Sequence, residues 1–212
     1  MELLSEKAEQ YIQHFTSAHD ELLQQVLKET YEGHPHAHMI SGEVQGKLLQ
    51  MISRMIQPLR VLEIGTFTGF SALCLAAGLQ TNGMLHTIEL RPEDAKTSQD
   101  HFDKSIFKDR VKLHIGDAKT IIPTLDEEWD IIFIDADKPG YIEYYELTLP
   151  RLKRGGFMLA DNVLFHGEVL EENISGKNAK AIHDFNEHVA ADCRTEQVML
   201  SVRDGITLIR KL

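Results

Sequence analysis

From Arg60 to Ile209 short apolar runs alternate with longer stretches of helical period, and this alternation narrows the possible folds more than any other feature of the chain. The runs Val61–Ile64, Met84–Ile88, Val111–Ile115, Trp129–Asp135 and Phe157–Ala160 read as strands. The stretches after them, Ser71–Leu79, Pro92–Lys104, a short piece to Pro123, Pro139–Leu152, and Lys177 to about Asp192, read as helices. A helix between successive strands is a crossover, so a parallel sheet covered on both faces is predicted. The end of the chain departs from this rule. Val198–Val202 and Ile206–Ile209 flank Asp204-Gly205, a dipeptide that favours a tight hairpin, so the last strand is predicted antiparallel. The predicted class is α/β, a doubly wound and mostly parallel sheet.

Ahead of the alternation, Glu2–Thr30 carries apolar residues at near-helical spacing (Leu3, Leu4, Ala8, Tyr11, Ile12, Phe15, Leu22, Leu23, Val26, Leu27), with a break near Ser17. One or two amphipathic helices are expected. A loop at Gly33–His38 follows, and then a helix from an N-cap at Ser41 to about Gln57, closed by Pro58. At 212 residues the chain can bury a full core without disulfides or structural metal, so residues 1–212 are expected to form one domain, with 1–57 as a helical extension.

Composition excludes several classes of function. The formal net charge of -11 weighs against a broad phosphate-binding surface, which favours a small-molecule partner over bulk nucleic acid. No apolar run is long enough for a membrane span, and residues Met1–Thr30 lack the apolar core of a secretory signal. Cys74 and Cys193 are far apart and belong to no metal-binding spacing; both are expected to pack on helical apolar faces in a reducing cytoplasm.

In an open α/β sheet ligands bind outside the carboxyl ends of the strands, so chemistry is sought there. The first strand ends VLEIGTFTGFS. Gly65 and Gly69 stand with Phe67 between them, which blocks the close backbone approach that a dinucleotide pyrophosphate needs. S-adenosylmethionine (SAM) has no pyrophosphate, and Glu63 is placed to reach the amino group of its methionine moiety. Taken alone, the fragment fits an ordinary strand-to-helix turn equally well. The second strand ends at Glu89, near the spacing at which an acid accepts from a ribose diol, and GDAKT after the third puts Asp117 and Ala118 beside an adenine position. Asp117 also suits a helix N-cap.

The fourth strand ends IFIDADK and the fifth FMLADN. If the two pair, Asp135 and the neighbours Asp161 and Asn162 converge as oxygen ligands for a hard cation, Mg²⁺ or else Mn²⁺ or Ca²⁺. Lys138 follows Asp135 by one turn and is a candidate general base, beside a hydroxyl whose pKa a metal would lower.

Together the runs LEIGTFTGFS, TIE, FIDADKPGYIEYY, LADNVLFHG and VRDGITLIRKL resemble the cation-dependent catechol and caffeoyl-CoA O-methyltransferase family, from about Met39 to Leu212, and in the last segment its caffeoyl-CoA and bacterial branch. The resemblance implies a Rossmann-like, seven-stranded sheet and methyl transfer from SAM to a hydroxylated aromatic. It implies SAM contacts at Met39, Glu63, Gly65, Ser71, Glu89, Ala118 and Asp135, metal ligands at Asp135, Asp161 and Asn162, and a base at Lys138. A homodimer is expected from the same resemblance and from the N-terminal apolar stripe, which needs a partner surface.

Other readings stay open at this level. O-methylation of a hydroxylated uridine in tRNA is the alternative activity, and no membrane partner is expected. A non-catalytic SAM-binding module would lack the metal set or the base, and a dehydrogenase is disfavoured by Phe67. His34, His36 and His38 alternate without a second ligand cluster and suit a loop at a pocket entrance better than a metal site. The aperiodic stretch Val163–Ser175 is expected to be a lid or an ordinary mobile loop.

Overall fold

The structure is a computed structural model that describes residues 5–212, so Leu3 and Leu4 of the first apolar stripe lie outside the described residues. β1 (Arg60–Ile64) pairs in parallel with β2 (Met84–Glu89) and with β4 (Trp129–Ile134). β3 (Val111–Ile115) adds to β2, and β5 (Leu152–Asp161) adds to β4. β7 (Ile206–Lys211) runs antiparallel between β5 and β6 (Thr195–Leu200), which completes the order β3-β2-β1-β4-β5-β7-β6. The predicted class and the reversed final strand therefore hold. The order turns back between β1 and β4, the switch point at which a crevice opens. Ile64 lies opposite Ile134, and Ile134 opposite Ala160, so the register alone brings Gly65, Asp135 and Asp161 level at the carboxyl edge.

Central strands are apolar on both faces, as helices on both sides require. Leu62, Ile64, Ile132 and Ile134 point to one face, against Tyr141 and Tyr145 of α7 (Tyr141–Thr148) and Phe185 of α8 (Lys177–Ala190). Their neighbours Val61, Ile131 and Phe133 point to the other. There they meet Leu73 of α4 (Phe70–Ala76), Phe102 of α5 (Pro92–Lys104), Leu49 of α3 (Glu43–Ile56) and Val26 of α2 (Glu21–Gly33). The N-terminal helices thus share a buried cluster with the sheet. α1 (Glu6–His14) is the exception: none of its residues is buried.

Several local expectations are corrected. α3 is capped by Gly42, not Ser41, because the chain enters the helix at φ +77, a left-handed conformation that glycine accepts and serine resists. The helix expected over Pro139–Leu152 is cut to Tyr141–Thr148, because Pro139 and Pro150 each open a 3₁₀ turn instead of continuing a helix. β5 begins at Leu152, earlier than expected, and pairs with Trp129 before a register shift. Asp204-Gly205 is not a two-residue hairpin. The connection runs from Ser201 to Gly205, with Arg203 and Gly205 both left-handed, and Asp204 Oδ1 accepts from the His166 backbone N–H at 2.6 Å. Cys74 is buried as expected, but Cys193 lies past the end of α8 and is exposed. No described helix is long and apolar enough to cross a membrane.

Candidate active site

A cavity of about 760 Å³ opens over the carboxyl ends of β1, β2, β3 and β4, a size in the range of small-ligand pockets. Its floor is set by a glycine. Gly65 has φ +100, and a Cβ there would lie 1.9 Å from the Asp135 carbonyl oxygen, so only glycine lets the ends of β1 and β4 close together. The turn beyond it contains Phe67 at φ +50, an uncommon conformation for an aromatic residue. Glu89 holds it there: Oε2 accepts from the Phe67 N–H at 2.7 Å, and Oε1 from the Arg91 N–H at 2.9 Å. A carboxylate has about four acceptor positions, so Glu89 can shape this turn and still accept from a ligand diol.

Met39, Gly65, Ser71, Glu89, Ala118 and Asp135 all line the cavity. Glu63 does not; it lies behind the wall, fully buried. Thr87 Oγ1 donates to Glu63 Oε2 at 2.5 Å, while Oε1 has no partner among the described residues. Burial pushes its carboxyl up to about 8, with Ser71 and Thr87 opposing the rise and Asp135 and Glu89 adding to it. Asp117 lines the cavity and also caps α6 (Ala118–Ile121), accepting from the Lys119 N–H at 2.9 Å, so the two sequence readings of this residue are compatible.

Beside the Gly65 turn, Lys138 joins the ends of β4 and β5. Its Nζ donates to Asp135 Oδ1 at 3.1 Å, Asn162 Oδ1 at 2.7 Å and the Tyr141 hydroxyl at 2.7 Å. Burial would pull the lysine pKa down, but Tyr141, Asp135 and Asp161 outweigh it and hold the proton more tightly than on an ordinary lysine. Asn162 adopts φ +56, which asparagine tolerates better than most residues. Asp161 lies behind the cavity wall at 1% exposure, accepting from the Asn162 N–H at 2.7 Å and from Gln45 Nε2 at 2.6 Å. Burial, and then the charge of Asp135, raise its carboxyl to about 7.

One carboxylate, one amide oxygen and one phenol hydroxyl thus meet around the Lys138 ammonium, with the buried Asp161 carboxylate behind them. Among the described residues no three His, Cys, Asp or Glu side chains converge as a metal cluster, which includes the histidine-rich loop. His34 Nε2 is 3.0 Å from Asp94 Oδ1, and His38 lines the cavity. Phe165 and His166 of the expected lid line it too.

Gln45, Tyr141 and Arg203 belong to the site's framework and were not singled out in the sequence. Tyr141 alone carried a signal, since it lies one helical turn beyond Lys138. Gln45 meets Asp161 across 116 positions, a partnership that no local pattern reveals.

The O-methyltransferase family profile matches residues 13–212. The chain is 33% identical to the catechol O-methyltransferase of Niastella koreensis over 201 residues, 93% of this chain and 90% of that protein. It is 32% identical to caffeoyl-CoA O-methyltransferase 1 of Eucalyptus globulus, over 88% of this chain and 80% of that one. Among solved structures, an SAH-bound methyltransferase of Podospora anserina superposes with a TM-score of 0.90 at 29% identity, covering 97% of this chain and 94% of that one. The O-methyltransferase of Bacillus cereus in complex with SAH superposes with a TM-score of 0.88 at 29% identity, covering 97% of both chains.

Proposed function

The chain belongs to the O-methyltransferase family, and on that premise we propose that it moves the methyl group of SAM to one hydroxyl of a small aromatic bearing two adjacent oxygens, with a divalent cation in the site. The observation that carries this reading is the convergence of Asp135, Lys138 and Asn162 immediately beside the Gly65 turn. The relatives named for catechol and caffeoyl-CoA support the acceptor class. They give no support to tRNA, and the net charge of -11 weighs against it.

Asp135, Asp161 and Asn162 would hold the cation. The fit rests on chemistry: the donors are all oxygen, and the parallel register sets them at the adjoining ends of β4 and β5. When bound, such a cation supplies Lewis acidity that lowers the pKa of a hydroxyl. The chain's own residues do the rest. Glu89 and the Gly65 turn seat the adenosyl end of SAM, with Ala118 against the adenine, while Met39, Ser71 and Asp135 border its methionine end and Glu63 supports it from behind. In transfer the acceptor oxygen bonds to the methyl carbon, the carbon–sulfur bond breaks with its electron pair returning to sulfur, and the hydroxyl proton goes to Lys138 Nζ. Lys138 can take that proton only when neutral. A cation held by Asp135, Asp161 and Asn162 would offset the attraction that keeps Lys138 protonated, so metal and base would be linked in this reading.

The test is an incubation with labelled SAM, Mg²⁺ and a panel of catechols, a caffeoyl thioester and hydroxyuridine tRNA. Label on a dihydroxylated aromatic is the expected result, and label on the tRNA alone would overturn the acceptor assignment. For the cofactor, calorimetry is expected to detect SAM but not NAD. Glu89→Ala is expected to weaken SAM by about 1 to 3 kcal/mol, because a ribose diol loses its acceptor and the Phe67 turn loses its tether; unchanged affinity would remove Glu89 from the site.

We further infer a homodimer. α1 buries none of its residues in the protomer, and Tyr11 within it and Phe15 at its C-cap are 67% and 68% exposed. Light scattering is expected to give twice the chain mass of 24.1 kDa; a monomer at micromolar concentration would contradict this. Residues 1–212 read as one domain, since α2 and α3 pack into the same buried cluster as β1 and α4. The unpaired cysteines suit the cytoplasm.

A further inference from the structure

Arg203 stands in the β6–β7 connection at φ +53, in the left-handed region where a long side chain is disfavoured and glycine is the natural residue. A strained residue that persists invites the question of what its side chain does. The guanidinium crosses to the other end of the chain, where Nη2 donates to the His38 carbonyl at 3.1 Å and Nη1 donates to the Ile40 carbonyl. Between those carbonyls lies Met39, which lines the cavity with its sulfur 4.0 Å from Arg91 Nη2. Arg203 Cζ also lies 4.0 Å from where a Gly42 Cβ would be, so α3 starts directly beside the guanidinium. The side chain thus straps the segment before α3 to the turn that leads into β7, whose first residue, Ile206, pairs with Asp161.

Resting on the functional reading above, we propose that Arg203 is a positioning residue that pins the His38–Ile40 segment in place and so fixes Met39 as the wall of the cavity shared by SAM and the acceptor. Its two carbonyl contacts hold a short 3₁₀ turn, Ala37–Met39, that buries none of its own residues. Ile40 is buried in the same cluster as Ile206 and anchors the end of the segment, so the strap's part is to hold the exposed His38 and Met39 backbone ahead of that anchor.

Two variants separate this role from a purely structural one. Arg203→Ala removes the strap and keeps a Cβ in the left-handed conformation; Arg203→Gly removes the strap and relieves the conformation. Arg203→Gly is therefore expected to melt above Arg203→Ala, while both weaken SAM by about tenfold, the scale of one charged hydrogen bond, and raise the acceptor KM more than they lower kcat. The proposal is overturned if both variants bind SAM within twofold of the parent, or if Arg203→Gly recovers SAM affinity along with its melting temperature, which would tie binding to stability alone. If the parent itself fails to bind SAM, the cofactor reading and this proposal fall together, a result distinct from the other two.

Discussion

Lys138→Ala is expected to retain SAM and metal binding and to lose on the order of 10² to 10⁴ in kcat, the usual contribution of a positioned base. Two effects are combined in that substitution, because Lys138 is also the cation that bridges Asp135 and Asn162. Lys138→Arg separates them. It keeps a positive charge but cannot be deprotonated in the working pH range, so it is expected to leave the rate as low as alanine does. Single-turnover kinetics at saturating SAM is the measurement. A rate within a few-fold of the parent for either variant would remove the base role, and recovery by arginine alone would reassign Lys138 to charge neutralisation.

Asp161→Asn is expected to abolish metal-dependent transfer while SAM affinity stays at the parent value, because Asp161 lies behind the cavity wall and is not among the residues that line it. The same substitution carries a pH signature of known sign. The Asp161 carboxyl moves from 3.8 in the free amino acid's range to about 7 in the fold, so the charged form is disfavoured by folding. That cost is absent below the unfolded pKa, grows as pH rises from about 4, and is complete above the folded value of about 7. In metal-free buffer the asparagine variant is therefore expected to melt higher than the parent above pH 7, with the advantage gone at low pH. Thermal melts across that range check it, and a variant less stable than the parent at pH 8 would show that the buried carboxylate is already well satisfied. Lower activity with higher stability is the expected trade at a functional site.

How much of this was legible in the sequence depends on how far apart the interacting residues lie. Glu89, Asp135 and Asp161 each end an apolar run, so the alternation itself located the chemistry at strand ends, and the parallel register then brought them level, with Asp117 two residues past the end of β3. Gly65 was legible as a turn, but the reason for it, a β4 carbonyl in the space of its Cβ, belongs to strand packing and not to local pattern. The cap of α3 was misplaced by one residue because serine is the better cap by side chain, while the backbone required positive φ. Asp204-Gly205 suggested a tight turn because the dipeptide suits one; in the fold Asp204 instead fastens the segment at His166, a contact across 38 positions. Gln45 and Arg203 could not be read at all, since their partners lie 116 to 165 positions away and neither sits in a periodic pattern. The helical extension was legible as part of one domain, but not its contact with the Gly65–Gly69 turn, where Thr30 Oγ1 of α2 donates to Thr68 Oγ1 at 3.0 Å across 38 positions.

The central claim is metal-dependent methyl transfer to one of two adjacent oxygens, and the initial rate with labelled SAM and a catechol tests it most directly, measured with Mg²⁺, then with EDTA, then with Mg²⁺ in excess over EDTA, beside a ring carrying a single hydroxyl. The account predicts transfer to the catechol with Mg²⁺, its loss in EDTA, its return with excess Mg²⁺, and little transfer to the single hydroxyl at any stage; an undiminished catechol rate in EDTA would contradict it.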